Sequence, residues 1–224
     1  MEASLDTNVI IHLYKANLQE ILFCRFAKIK VYEFIRNHEM ERHADSKIIA
    51  SFDQDVKLGK IELITDEYLR SIGMYKVFQQ HVKEWEILFG SKDLGEVYAI
   101  SMARTLGCCV LVTDDIKEYG PHYTLMRMQD TDVIPLAFYE VLFLDYLEQK
   151  MTAKEVMYYF NAICSSSGMT MDCRSKLKTF KRRFWDSPYR DSEKDWMESL
   201  SRCRGIDSRT MIQELLDFLE LQCG

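Results

Sequence analysis

"SKDLGEVYAISMARTLGCCVLVTDD", residues 91–115, decides how the rest of the chain is read. Val97, Ile100 and the Ala103–Arg104 pair recur at helical spacing, Ser91 and Asp93 offer N-terminal caps, and Gly107 is a natural stop. Directly after the helix, "CCVLVTDD" is a short β-rich run closed by two aspartates. A helix that feeds straight into such a run is half of a β–α–β unit, whose strands lie parallel.

The same alternation extends outward. Residues 3–11 read as a strand, followed by a helical run to about Phe26. "KIKVY" and "IELIT" read as further strands, separated by the long polar helical segment that begins at "EFIRNHEMERH". "DEYLRSIGMYKVFQQHVKEWEILFG" predicts one or two helices, and "DVIPLAFYEVLFLDYLEQ" a last short strand with a strongly apolar helix. Strands alternating with helices predict the α/β class, as a parallel-sheet α/β/α sandwich over residues 1–148. In residues 149–224 the strands stop. "TAKEVMYYFNAIC" and "SRTMIQELLDFLELQC" are amphipathic helices on either side of the turn-like "SSSGMTMD", which predicts a C-terminal helical extension.

With 224 residues, 47% of them hydrophobic, the chain can bury one sizeable core. No stretch is apolar for long enough to span a bilayer, and the start "MEASLDTN" has neither a basic nor an apolar leader region. The 7 cysteines form no Cys-x-x-Cys pair, which suits reduced thiols in a cytoplasmic setting. A net charge of −6 argues against a protein that coats nucleic acid non-specifically, but not against an enzyme that contacts it.

In open parallel sheets, ligands gather at the carboxyl ends of the strands. Asp6, Asp114 and Asp115 fall there, with Asp93 and Glu96 at the start of the neighbouring helix. Each has a bland use as a turn or helix-cap residue. Together they repel one another unless protons or a cation intervene, and a hard divalent ion such as Mg²⁺ or Mn²⁺ suits such a set of oxygens. A bound ion of this kind activates water for attack on a phosphodiester.

"LDTNVII", "DLGEVYAISMA" and "LVTDD", in that order and spacing, resemble the PIN-domain nucleases, a family that includes the toxins of many bacterial toxin–antitoxin pairs. The likeness covers roughly the first two-thirds of the chain. It implies a Mg²⁺- or Mn²⁺-dependent nuclease acting on RNA, with Asp6, Glu96 and Asp114 as metal-binding carboxylates and Asp115 as a nearby contributor. It also implies Asn8 and Thr113 as groups that orient those carboxylates. The family places a further glutamate in the helix after the second strand, where this chain offers Glu33, Glu39 and Glu41. Glu39, at the edge of the apolar face by helical count, is favoured to position or deprotonate the attacking water. Asp93 is read as a helix cap in preference to a ligand. The second reading is a nucleic-acid-binding or regulatory scaffold with little turnover.

"KLKTFKRRFW", residues 176–185, is the one concentrated basic stretch. Lys176, Lys178, Lys181, Arg182 and Arg183 offer contacts to a phosphate backbone, with Phe180, Phe184 and Trp185 to stack on bases. The other use of the same pattern is a solvated basic face whose aromatics pack inward. The large apolar residues of the last helices serve core burial, with a homodimer or an antitoxin-like partner as the alternative. No His-Glu-x-x-His helix, P-loop or Gly-x-Ser-x-Gly turn is present.

Overall fold

In the computed structural model, which describes residues 1–90 and 93–223, five short strands form one all-parallel sheet. In chain order the strands are β1 (Glu2–Leu5), β2 (Lys28–Tyr32), β3 (Glu62–Ile64), β4 (Val110–Val112) and β5 (Ile134–Leu136), arranged β3-β2-β1-β4-β5. Thirteen helices connect and follow them: α1 (Thr7–Lys15), α2 (Glu20–Arg25), α3 (Glu41–His43), α4 (Ser46–Lys57), α5 (Asp66–Ser71), α6 (Tyr75–Phe89), α7 (Leu94–Thr105), α8 (Pro121–Arg127), α9 (Phe138–Leu147), α10 (Ala153–Ser167), α11 (Cys173–Lys181), α12 (Asp191–Arg204) and α13 (Ser208–Cys223). Two π-helical turns, Ile35–Met40 and Arg182–Asp186, interrupt this series.

Strand order reverses between β3 and β4, so right-handed crossovers send the helices to both faces. α1, α2 and α4 lie on one side, joined there by α9 and α10, while α7 crosses β1, β2 and β4 on the other with α6 packed against it. Ser4 marks the α7 side, because its hydroxyl donates to the Ala99 carbonyl of that helix at 2.9 Å.

Sequence and structure part company at the first element. Residues 3–11 are not one strand: β1 ends at Leu5 and Thr7 opens α1. Asp6 is the hinge. Its N–H donates to the Val112 carbonyl at 3.0 Å and prolongs the sheet, while its Oδ1 accepts from the Thr7 N–H at 2.7 Å and begins the helix. Val9, Ile10, Leu13 and Tyr14 are all buried, a spacing that serves a helix as well as it resembles a strand. The helix read between residues 91 and 107 does stop at Gly107, whose φ of 66° is open to glycine at no cost. Of the two predicted caps, Ser91 lies outside the described residues, and Asp93 stands at the N-terminus of α7 without a side-chain bond to the helix.

The core runs without a break from the sheet into the helices after α9. Leu5, Val31, Val112 and Leu136 share it with Val97 and Ile100 of α7 and with Phe160, Leu177, Phe180, Phe184, Met197 and Leu215 further along. Each such side chain, fully removed from water, contributes about 1.5–3 kcal/mol before the cost of ordering it. Aromatic rings hold α7 in place: Tyr98 lies 5.0 Å from Tyr32 and 4.7 Å from Phe34 between ring centres. Among the described residues no helix is long and apolar enough to cross a membrane.

Candidate functional site

At the carboxyl edge of the sheet a cavity of about 260 Å³ is lined by five carboxylates, those of Asp6, Glu39, Asp93, Glu96 and Asp115. The sheet register explains why these meet. Leu5 pairs with Val112, so Asp6 and Thr113 lie side by side one step further on. Side chains alternate along a strand, so Asp6 shares the α7 side with Ser4, and Thr113 and Asp115 share it in turn. The Thr113 hydroxyl donates to Asp6 Oδ2 at 3.0 Å and accepts from the Asp115 N–H at 3.2 Å, which ties the Asp6 carboxylate to the backbone that carries Asp115. Glu96, in the first turn of α7, comes within hydrogen-bonding reach of Asp115.

Asp114 is not among the lining residues. It has the opposite parity and points to the other side of the sheet, with its side chain 1% exposed. There its Oδ1 accepts from the Phe138 N–H at 2.9 Å, at the start of α9, and its Oδ2 lies 2.7 Å from His12 Nδ1 on α1. The sequence reading placed it in the acidic site, whereas the structure makes it a helix anchor and puts Asp115 in the pocket.

Of the three glutamates offered after the second strand, one reaches the cavity. Glu39 lines it, and a Cβ on Gly95 would come within 3.1 Å of Glu39 Cγ and 3.3 Å of Thr7 Oγ1. The missing side chain at Gly95 lets the start of α7 close on both residues. Glu33 accepts from the Asp66 N–H at 2.8 Å, and Glu41 pairs with Arg36 at 2.7 Å. Asn8 stands exposed at the cavity rim. Asp93, read as a cap, faces the cavity too.

Burial and mutual repulsion raise the proton affinity of Asp6 and Glu96. Burial pushes Asp6 up to about 6, against its bonds from Thr7 and Thr113, with the Asp115 and Asp114 charges adding to the rise. Glu96 is pushed up to about 9, first by burial and then by the Asp115 carboxylate and the Asp6 and Asp93 charges.

Four contributors escaped the sequence reading. Thr7 is 5% exposed and its hydroxyl has no partner among the described residues, although it borders the cavity. His43 on α3 brings its Nε2 to 3.7 Å from Glu39 Oε2. Lys117 sets its ammonium 2.7 Å from Asp115 Oδ2. Gly120 leaves the room that Asp115 fills, since a Cβ there would lie 2.6 Å from Asp115 Oδ1 and 2.9 Å from its carbonyl oxygen. Only Gly120 had a sequence signal, the turn-forming Gly-Pro pair it makes with Pro121.

The donor set fits a hard divalent cation: carboxylate oxygens predominate, and a sealed threonine hydroxyl lacks a partner. Among the described residues no three His, Cys, Asp or Glu side chains converge closely enough to hold an ion as they stand. Mg²⁺ in particular keeps several waters and needs only one or two carboxylates directly.

The basic stretch of residues 176–185 divides. Lys178 and Arg182 are exposed, Lys181 Nζ donates to Gln213 Oε1 at 3.3 Å, and Lys176 Nζ sits 5.4 Å from the Tyr139 ring centre. Arg183 faces inward, 2% exposed, and pairs with Glu140 at 2.9 Å and Glu193 at 2.6 Å, so it is not free to meet a phosphate backbone. Phe180, Phe184 and Trp185 are buried and do not present faces for base stacking.

No model of a known family matches this chain, and comparisons with curated proteins and with solved structures return no match either.

Proposed function

We propose that the chain is a divalent-metal-dependent nuclease of the PIN-domain kind, hydrolysing phosphodiester bonds in RNA. One observation carries this reading: Asp6, Glu96, Asp115 and Glu39 come from four separate parts of the chain and share one cavity at the carboxyl edge of a parallel sheet. A chain that only needed polar turns would have no reason to crowd like charges into buried space.

In this reading Asp6, Glu96 and Asp115 hold Mg²⁺ or Mn²⁺. A bound ion supplies a lowered pKa for water and an offset to charge on the phosphoryl oxygens. Thr113 keeps the Asp6 carboxylate aimed and steadies the backbone of Asp115, so little reorganisation is left for the reaction. Glu39, packed against the start of α7 at Gly95, takes the proton of the attacking water, and His43 beside it passes that proton to solvent. Lys178 and Arg182 offer exposed positive charge to the polyanion.

Cleavage of a labelled single-stranded RNA with and without Mn²⁺ tests the assignment. Asp6→Asn and Asp115→Asn are expected to lower the metal-dependent rate by about a hundredfold or more. Asp114→Asn is expected to stay within about tenfold of the wild-type rate while melting earlier, because it removes a helix anchor instead of a site group. Full activity in Asp115→Asn, or no cleavage by the wild type with any RNA in Mn²⁺, defeats the reading.

A further inference from the structure

Lys117 holds the Asp115 carboxylate at both ends. Its backbone N–H donates to Asp115 Oδ1 at 3.4 Å, and its ammonium lies 2.7 Å from Oδ2. The lysine side chain is 67% exposed, so it is a solvated arm laid over the rim of the cavity and not a packed wall. Among the described residues it is the only lysine or arginine lining that cavity, facing five carboxylates.

We propose that the Lys117 ammonium is a tethered, displaceable counter-ion, which holds Asp115 until a divalent cation takes its place. This rests on the reading of the pocket as a metal site. Two features support it beyond the acidic cluster. The Thr7 hydroxyl, on a residue that lines the cavity, is buried without a partner among the described residues. Asp115 is closely confined, with no room for a Cβ at Gly120 and its N–H bonded to Thr113, whereas the Lys117 arm is solvated. Its four-carbon stem and compact charge suit departure, whereas a guanidinium fork would bind the carboxylate in two-point geometry. The lysine and the metal ion thus compete for one oxygen, and repulsion between them weakens metal binding.

Titration calorimetry with MnCl₂ alone, on the full chain at constant ionic strength, reads this competition directly. Lys117→Met is expected to bind Mn²⁺ about tenfold more tightly than the wild type, from loss of both the competitor and its repulsion. Lys117→Arg, which keeps the charge, is expected to bind no more tightly than the wild type. Circular dichroism checks that each variant is folded. If the wild type binds Mn²⁺ and Lys117→Met binds it equally or less well, the counter-ion role falls and the metal site stands. A Lys117→Arg variant that gains affinity as the methionine does would also overturn it, since charge would then not be the cause. Should neither wild type nor Lys117→Met bind Mn²⁺, the metal site itself is lost and this role with it.

Discussion

At the junction of β5 with the helices that follow α9, Glu140, Glu193, Arg183, Arg190 and His122 are all nearly sealed from water. At the carboxyl edge of the sheet, Asp6, Glu96 and Asp115 are buried or half-buried as well. The first group is matched in sign. Arg183 reaches Glu140, Glu193 and the Pro135 carbonyl, Arg190 bonds Glu193 and the Thr131 carbonyl, and His122 Nε2 lies 2.6 Å from Glu140 Oε2. Burial by itself would raise Glu140, yet the Arg183 and His122 charges hold it down to about 2. The second group is acidic apart from Lys117 at its rim, and there Asp6 and Glu96 move upward instead. Burial is common to both, so what separates a structural joint from a candidate reactive site is whether the fold supplies its own opposite charges.

The contrast can be broken most sharply at Arg183. Arg183→Met removes the one cation that Glu140 and Glu193 share, leaving each buried glutamate with a single cationic neighbour, and is expected to cost about 3–5 kcal/mol in urea unfolding. Lys117→Met, at the pocket, should change stability far less. A similar loss in both would mean that the two clusters are of one kind. A smaller effect is expected from Gly120→Ala, whose new methyl group must displace Asp115. Its overpacking should cost about 1–3 kcal/mol and weaken Mn²⁺ binding, both measurable by melting with and without the ion. An alanine at 120 that leaves the Mn²⁺ response untouched would remove Asp115 from the metal site.

The smallest expected effect is a difference in pH response. Asp6, with an ordinary value of 3.8, rises to about 6, and Glu96, ordinarily 4.5, to about 9. The folded metal-free chain therefore holds more protons than the unfolded chain between about pH 4 and pH 9, and through these groups it loses stability as pH rises. Glu140 works the other way, giving stability above its ordinary 4.5 that fades as pH falls towards 2. Metal-free Glu96→Gln should melt higher than the wild type at pH 8 and match it near pH 4. If its advantage is the same at both pH values, the cost of ionising Glu96 in the pocket, by burial and by its acidic neighbours, is not what the substitution relieved.

Much of this was legible from residue order. "KIKVY" is β2 over its whole length, Gly107 ends α7, and Thr113 bonds Asp6. Glu39 was favoured on α-helical spacing, but the turn that carries it, Ile35–Met40, is π-helical, so that count does not explain its arrival in the cavity. The exchange of Asp114 for Asp115 is a question of parity. Nothing in "TDD" tells which aspartate shares a face with Asp6, because that depends on Leu5 standing opposite Val112. Arg183 read as surface charge because four basic neighbours surround it in sequence, while its true partners, Glu140 and Glu193, lie 43 and 10 residues away.

From its sequence alone this chain could be read as alternating strands and helices, with acids at strand and helix ends, since these follow from local periodicity and capping chemistry. Which acids meet, which face outward, and which cations neutralise them were decided only by tertiary structure. Pairing register and chain crossings set the distance between charges, and electrostatic energy depends on that distance rather than on separation along the chain.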